Sequence, residues 1–317
     1  MPDKPNNTDR GLTDRDWDDL LYRISKRKCT PFLGAGVNHG ILPLGAGLAG
    51  KLAAEFDCPL PDNSDLAKVA QYVALERDDP VRAKESVLDI LNDELEEKEK
   101  AVKISDRLNN PEHPLSVLAD LPFSIYMTTN YDDLMFRALD LEARQKKPRR
   151  EFCRWSRTLR SESDPSVLNS DSDFAPEPAT PLVFHLHGYD EQETSLVLTE
   201  DDYLDFLVNL SRDQDLLLPP RIQRAITGTS LLFIGYGLED WDFRVLFHGL
   251  VDPMEKGLRR KSVAVQLDVE GEMKEHLIKY FDNLHIGVYW GTAQEFVAEL
   301  RERWQDYRKK LEARKEK

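Results

Sequence analysis

The chain has few cysteines and no long apolar run. Its 317 residues include only three cysteines, Cys29, Cys58 and Cys153, which lie far apart in the sequence. This usage excludes a disulfide-stapled scaffold and a four-cysteine zinc site, and it favours a reducing compartment. No stretch approaches the roughly 20 apolar residues that are needed to cross a bilayer. We therefore expect no membrane span.

The amino terminus and the net charge narrow the class of protein further. Met1 to Arg10 is polar and lacks the apolar segment of a secretory signal, so we expect a cytoplasmic protein. The net charge is −15, and such an acidic surface repels nucleic acid phosphates at long range. Direct nucleic acid binding is therefore not expected. The basic tail from Arg308 to Lys317 is typical of a solvated helix face, with docking of a partner as the alternative.

Short apolar runs alternate with helical patterns along the chain. The runs are rich in β-branched and aromatic residues and nearly continuous, as in strands that are covered on both faces. They are 29–33, 123–128, 182–186, 231–234, 262–267 and 284–289, and the helical patterns are 45–56, 131–141, 200–210, 241–250 and 271–281. This alternation predicts an α/β fold with a Rossmann-like parallel sheet of about six strands.

Three segments interrupt or extend this rhythm within one predicted domain, residues 1–317. Residues of about 60–115 are charged and helical in pattern, which predicts a helical module inserted between the first two strands. Residues of about 146–180 are rich in Pro, Ser, Asp and Arg, which predicts an irregular loop. Residues 292–315 predict one amphipathic carboxyl-terminal helix.

Glycines and polar residues follow directly after several predicted strands. Ligands of open parallel sheets bind beyond the carboxyl ends of the strands, so this placement indicates a site. Gly34-Ala35-Gly36-Val37-Asn38 follows the first strand and could bring backbone close to a pyrophosphate. The third glycine, Gly40, stands one place later than in the usual dinucleotide pattern, so a plain strand-to-helix turn is an equal alternative.

The other strand ends carry side chains of catalytic type. Thr128 to Asp133 follows the second strand, where the acids also suit a helix cap, Asp133 in particular. His185 and His187 end the third strand, and strict alternation would place both on one side. His187, followed by glycine, is the better candidate for a reacting group, although one or both histidines could be structural. No metal site is predicted, because no third ligand has suitable local spacing.

Four motifs occur in an order that is typical of one protein family. They are Gly-Ala-Gly-Val-Asn at 34–38, Thr-Thr-Asn-Tyr-Asp at 128–132, Leu-His-Gly at 186–188 and Ile-Gly-Tyr-Gly-Leu-Glu-Asp at 234–240. The set resembles the sirtuin-like fold and, more narrowly, the bacterial sirtuin-like NADases of antiphage defence. The resemblance covers roughly Lys28 to Phe296.

The resemblance implies a role for each matching residue. Asn130 would orient the nicotinamide ribose and the attacking water as a catalytic residue, and His187 would be the general base. The implied NAD-binding residues are Gly34, Ala35, Gly36, Asn38, Thr128, Asp132, Gly235, Tyr236 and Asp268, the last near the adenosine end. Asn38 stands where sirtuins usually carry Ser or Thr.

Departures from the family pattern bear on the reaction. Deacylating sirtuins usually carry a zinc ribbon of two Cys-x-x-Cys pairs, which this chain lacks. Hydrolysis of NAD to nicotinamide and ADP-ribose is therefore expected, rather than transfer to an acylated peptide. The alternatives are an NAD-dependent protein deacylase and a non-catalytic subunit that senses NAD or ADP-ribose.

Such an activity would be toxic without control. The resemblance thus implies an effector of antiphage defence that is regulated by homo-oligomerisation or by a separate sensor, such as a DNA-translocase-type ATPase. NAD is expected as substrate, with no metal.

Overall fold

The computed structural model describes residues 10–162, 166–170, 174–237 and 260–315. Their centre is a parallel sheet of seven strands in the order β3-β4-β2-β1-β5-β6-β7. The strands are β1 Cys29–Leu33, β2 Ile125–Thr128, β3 Arg149–Phe152, β4 Leu182–His185, β5 Ser230–Ile234, β6 Ser262–Gln266 and β7 Ile286–Trp290. The predicted α/β class and parallel sheet are confirmed, with one strand more than expected.

The apolar runs form strands because both faces of the sheet are buried. Phe32 and Leu33 are neighbours on β1, and their side chains belong to two different apolar clusters. Successive side chains of a strand point to opposite faces, so each cluster covers one face of the sheet. This two-sided burial explains why the runs are continuous rather than alternating in polarity.

Helices cover both faces of the sheet. Among the described residues they are α1 Asp14–Ser25, α2 Gly45–Glu55, α3 Leu66–Arg77, α4 Pro80–Ala101, α5 Ile104–Asn109, α6 Pro114–Asp120, α7 Leu134–Asp140, α8 Arg157–Glu162, α9 Val167–Ser170, α10 Glu200–Leu217, α11 Pro220–Gly228, α12 Glu272–Asn283 and α13 Ala293–Lys315. None of these combines the length and the hydropathy of a membrane span.

The segment between β1 and β2 is helical, as the sequence predicted for residues of about 60–115. Helices α3 and α4 pack against each other and against α2, while α10 also contacts α3. Reciprocal hydrogen bonds of 2.9 and 3.1 Å join the Gln71 amide of α3 to Asp201 at the start of α10. This segment therefore contacts an element that follows β4, far along the chain.

Strand β3 corrects the prediction of an irregular loop at residues 146–180. Among the described strands it pairs with β4 alone, at one end of the strand order. Its sequence, Arg-Arg-Glu-Phe, is mostly charged, as edge strands often are, so it lacked the apolar run that marked the other strands. A prediction from hydrophobic runs was therefore bound to miss it.

Helix boundaries differ from prediction in several places. The helix predicted at 131–141 begins at Leu134, which leaves residues 129–133 in a loop after β2, and α10 continues to Leu217 through a kink at Asp213. Helix α1 was not predicted, although Thr13 and Asp16 form a capping box that could have marked its start. The helix predicted at 241–250 lies outside the described residues.

Because all strands are parallel, their carboxyl ends lie along one side of the sheet. We call this side the carboxyl edge, and it is defined by the strand ends Leu33, Thr128, His185, Ile234 and Gln266. The opposite side, where the strands begin, is the amino edge. The loops that carry the predicted site residues all leave the carboxyl edge.

Candidate active site

Two glycine-containing loops pack against each other at the carboxyl edge. The Gly36 amide donates to the Gly235 carbonyl at 2.9 Å, and the Gly34 amide donates to the Ile234 carbonyl at 2.9 Å. A Cβ on Gly36 would lie 2.8 Å from the Gly235 Cα, and Gly235 has a φ of +83°. These glycines therefore allow contact between backbones of β1 and β5, and two of the loop amides are already committed within the protein.

The carbonyl of Leu33, the last residue of β1, organises the loops around it. It accepts hydrogen bonds from the Thr128 hydroxyl at 3.0 Å, the Thr129 amide at 3.2 Å and the Tyr236 hydroxyl at 3.1 Å. Tyr236 is buried, and its hydroxyl also accepts a bond from Thr129. Thr128 and Tyr236, which were predicted to bind NAD, thus hold the ends of β1, β2 and β5 together.

Asn130 lies where these loops meet. Its side-chain amide donates to the Gly34 carbonyl at 3.2 Å, and its backbone amide donates to the Thr128 hydroxyl at 3.0 Å. Its own carbonyl is 3.0 Å from Nδ1 of His185. The structure therefore joins the ends of β1, β2 and β4 through one asparagine.

Asn38 and Asp132 form a second link between the loop after β1 and the loop after β2. Asn38 is 3% exposed, and its Nδ2 donates to Oδ2 of Asp132 at 2.6 Å. The other carboxylate oxygen accepts from the Leu134 amide at 3.0 Å, so Asp132 rather than the predicted Asp133 caps α7 with its side chain. Oδ1 of Asn38 is buried and has no hydrogen-bond partner among the described residues.

Carboxyl groups of this region have raised pKa values. Burial is the main cause that raises the pKa of Asp132 to about 7; the bond from Leu134 opposes this shift, and the nearby carboxylates of Asp133 and Asp190 add to it. Burial also raises the pKa of Asp190 to about 6, with a further contribution from Asp133. Two of the carboxyl groups at this site therefore change charge close to neutral pH.

Arg150 balances part of this negative charge. Its guanidinium bonds Asp190 at 3.3 Å and also bonds Glu191, and it contacts the rings of both Phe136 and Tyr189. Arg150 belongs to the edge strand β3, which the sequence did not predict, and its charge alone indicated only a solvated basic run. A strand prediction for residues 149–152 would have placed Arg150 inside the sheet, beside β4.

The two histidines have different surroundings. Strand β4 ends at His185, so the alternation that predicted a common side does not extend to His187. His185 contacts the Asn130 carbonyl through Nδ1, while its Nε2 is buried with no hydrogen-bond partner among the described residues. His187 is 0% exposed and packs edge-on against the rings of Tyr203 and Phe206 at 5.4 and 5.1 Å.

Both imidazoles are neutral at physiological pH. Burial lowers the pKa of His187 to about 3, and burial lowers the pKa of His185 to about 4 against the opposing bond from Asn130. A neutral imidazole can accept a proton, as a general base must. Complete burial, however, means that water reaches His187 only if α10 or the ring itself moves.

The remaining predicted positions lie along the same edge. Ala35 begins the short turn Ala35–Asn38 after β1, and Asp268 follows β6, where its exposed carboxylate bonds Lys274 of α12 at 2.7 Å. The contacts therefore bring together Gly34, Asn38, Thr128, Asn130, Asp132, Gly235 and Tyr236. Asp268 lies apart from this group, at the end of a neighbouring strand. Within the described ranges, no group of three or more His, Cys, Asp or Glu side chains is placed to hold a metal.

Several known proteins are similar in sequence to this chain. The NAD(+) hydrolase ThsA of Cytobacillus dafuensis is 25% identical to this chain over 232 residues. The alignment covers 72% of this chain and 39% of that protein. The NAD(+) hydrolase ThsA of Acinetobacter baumannii (strain 532279) is 23% identical over 227 residues, 70% of this chain and 39% of that protein. Defense-associated sirtuin 2 of Bacillus subtilis is 28% identical over 182 residues, 56% of this chain and 15% of that protein.

The chain spans less than half the length of these curated relatives. The profile of the SIR2-like domain matches residues 124–289, which is just over half of the chain and contains both the Thr-Thr-Asn-Tyr-Asp and Leu-His-Gly motifs. The sirtuin-like resemblance of the sequence motifs is thereby confirmed, and the chain belongs to the SIR2-like domain family.

Proposed function

We propose that the chain is an NAD+ glycohydrolase, which cleaves NAD+ with water to nicotinamide and ADP-ribose. Two of the relatives are named NAD(+) hydrolases, and they align with 72% and 70% of this chain. The observation that carries the proposal is the position of Asn130, whose amide bonds Gly34 and whose carbonyl bonds His185. One residue thereby connects the loops at the ends of three strands, where parallel sheets bind ligands.

The buried acceptors of the site suit a ribose. Oδ1 of Asn38 and Nε2 of His185 have no hydrogen-bond partner among the described residues, although burial makes such atoms costly. His185 donates through Nδ1 to a carbonyl, so its Nε2 is an acceptor. Ribose hydroxyl groups are donors that would satisfy acceptors of this kind. This chemistry supports a sugar-containing ligand at the carboxyl edge.

The reaction needs charge stabilisation more than acid catalysis. The bond between C1′ of the ribose and the nicotinamide nitrogen breaks with its electrons going to nicotinamide, which leaves as a neutral molecule. Positive charge grows on the ribose, and an ionised Asp132 would stabilise it. Asn130 would orient the ribose hydroxyls and the water, and neutral His187 would take the proton that this water loses as it bonds C1′.

The buried position of His187 sets a condition on this mechanism. Helix α10 places Tyr203 and Phe206 against the imidazole. Water must reach the ring during turnover, so α10 or the ring itself has to move. This conformation would therefore hydrolyse NAD+ slowly, and activation would favour a conformation in which α10 is displaced or the ring is turned toward the site.

We infer that this activity serves antiphage defence in the cytoplasm. One relative is named a defense-associated sirtuin, and hydrolysis of a central metabolite must be restrained in a healthy cell. Restraint through a homo-oligomer or through a separate sensor subunit, such as a DNA-translocase-type ATPase, would fit the covered His187. Measuring oligomer mass and NAD+ turnover together, with and without the protein encoded beside this one, tests this regulation.

A second candidate function is a module that binds NAD or ADP-ribose without turnover. The complete burial of the imidazole favours it, because a sensor needs no accessible base. Incubation of the purified protein with NAD+, followed by chromatographic detection of nicotinamide, separates the two functions. Release of nicotinamide that disappears in an Asn130→Ala variant supports the hydrolase. Tight NAD+ binding without release, under activating conditions as well, would contradict it.

A further inference from the structure

Residues 195–197, which we call the clamp segment, are held by side chains from three distant parts of the chain. Ser195 accepts a bond at its carbonyl from Trp155 Nε1 at 2.8 Å. The next carbonyl, of Leu196, accepts from Lys84 Nζ of α4 at 2.7 Å, and that of Val197 accepts from the Tyr131 hydroxyl at 2.8 Å. Three successive carbonyls of a fully buried segment are therefore fixed in place.

The clamp segment contacts His187 directly. The amide of Val197 donates to the His187 carbonyl at 2.9 Å. On the next residue, Gly188, a Cβ would lie 2.3 Å from the Ser195 carbonyl, so backbones meet closely there. Helix α10 begins just after the segment and supplies Tyr203 and Phe206, which contact the imidazole. A shift of the clamp segment would thus move both the backbone and the ring of His187.

Tyr131 ties this segment to the loop that carries Asn130 and Asp132. It lies between those two residues in the chain, and its carbonyl also accepts from the Asp190 amide at 2.9 Å. We propose that Tyr131 is a positioning residue, whose hydroxyl aligns His187 with Asn130 through the clamp segment. This inference rests on the proposed function only for the part that concerns turnover.

Loss of the Tyr131 hydroxyl is expected to disturb the alignment of His187 more than the stability of the fold. Without the Tyr131 hydroxyl, the Val197 carbonyl remains buried and loses the donor that the structure gives it. The clamp segment can then relieve this cost only by shifting, which changes the distance from His187 to the site around Asn130. Misplacement of reacting groups by about 1 Å lowers rates by up to about a hundredfold. A small shift is therefore expected to lower kcat while substrate binding changes little.

The chain offers a matched control for this test. Tyr126 is buried in β2, and its hydroxyl donates to the Leu118 carbonyl at 2.9 Å, toward the amino edge. Tyr131→Phe and Tyr126→Phe each remove one hydroxyl from one carbonyl, so a merely structural effect should be similar in both. We expect Tyr131→Phe to lower kcat about tenfold, well within the effect of misplaced reacting groups, with KM changed by less than about twofold. Tyr126→Phe should leave both constants at the wild-type values.

A second measurement does not depend on activity. Hydrogen exchange of the Val197 amide reports its bond to the His187 carbonyl, and exchange should accelerate in Tyr131→Phe but not in Tyr126→Phe. Equal kcat values for the two variants, or unchanged exchange at Val197, would overturn the inference. If the wild-type protein releases no nicotinamide under any condition, the proposed function fails, while exchange still decides whether Tyr131 holds the clamp segment.

Discussion

The two edges of the sheet treat buried polar groups differently. At the amino edge, the Thr229 hydroxyl bonds the Thr30 hydroxyl at 2.8 Å, and the Leu231 amide bonds the Ser262 hydroxyl at 3.1 Å. At the carboxyl edge, Asn38 Oδ1 and His185 Nε2 have no hydrogen-bond partner among the described residues. These two polar pairs at the amino edge are satisfied within the protein, whereas at the carboxyl edge two acceptors are left for the ligand that we propose.

This difference separates stability from function within one sheet. A buried polar atom without a partner costs about 1–3 kcal/mol, which a fold retains where a site needs the group. The carboxyl edge also carries carboxyl groups of raised pKa, Asp132 and Asp190. Substitutions there should change activity or its pH dependence, whereas similar substitutions elsewhere should change stability alone.

The largest expected effect distinguishes the buried His187 from the half-buried His113. Burial lowers the pKa of His187 to about 3 and that of His113, before α6, to about 4. His187→Asn removes the proposed general base and should lower NAD+ turnover by about 10²–10⁴-fold. His113→Asn should leave turnover unchanged, because asparagine can also accept the bond from the Leu115 amide as an N-cap.

Nicotinamide release and melting temperature, measured on both variants, check this prediction. The melting temperature shows that the His187→Asn protein is folded. Wild-type turnover by a folded His187→Asn protein would exclude His187 as the base and would direct attention to His185, which bonds the Asn130 carbonyl.

A second, smaller effect concerns pH. The pKa of Asp132 is raised to about 7, mainly by burial and further by Asp133 and Asp190. If the ionised form stabilises the positive ribose, kcat/KM should fall about tenfold per pH unit below about pH 7. An Asp132→Asn variant should be slower above pH 7 and should lack this part of the pH dependence. A wild-type profile that is flat from pH 5.5 to 8 would contradict the role.

The raised pKa of Asp132 should affect stability in the opposite direction to activity as the pH rises. Because its pKa is higher in the folded protein than in the unfolded chain, Asp132 binds more protons when folded between about pH 4 and pH 7. The free energy of unfolding should therefore fall as pH rises through this window, by up to a few kcal/mol. Asp132→Asn should flatten that decrease, which thermal melts at several pH values would measure.

Part of the site could be predicted from the sequence, because its residues come directly after strands of the parallel sheet. Continuous apolar runs marked six of the seven strands, and the residues after them, such as Asn130 and Gly34, are adjacent in the structure. The charged edge strand β3 gave no such signal, so the position of Arg150 beside Asp190 was missed.

Contacts between side chains that are far apart in the sequence could not be predicted either. Lys84 is buried and bonds both the Leu196 carbonyl and Asp202, although it lies in a helix in which half of the residues are charged. Nothing in local spacing indicates that α4 reaches the segment beside His187. The burial of His187 by Phe206 depends in the same way on how α10 packs after β4.

The smallest expected effect tests how the carboxyl edge is packed. Gly36→Ala places a Cβ 2.8 Å from the Gly235 Cα, and backbone cannot yield as a flexible side chain can. Such overpacking should lower the free energy of unfolding by about 1–3 kcal/mol. Gly50→Ala, in the exposed part of α2 with nothing within 4 Å, should raise it by about 0.5–1 kcal/mol. Denaturant melts of both variants give the two signs. If Gly36→Ala proved as harmless as Gly50→Ala, the two loops would not be in contact, and the glycines would serve a bound ligand instead.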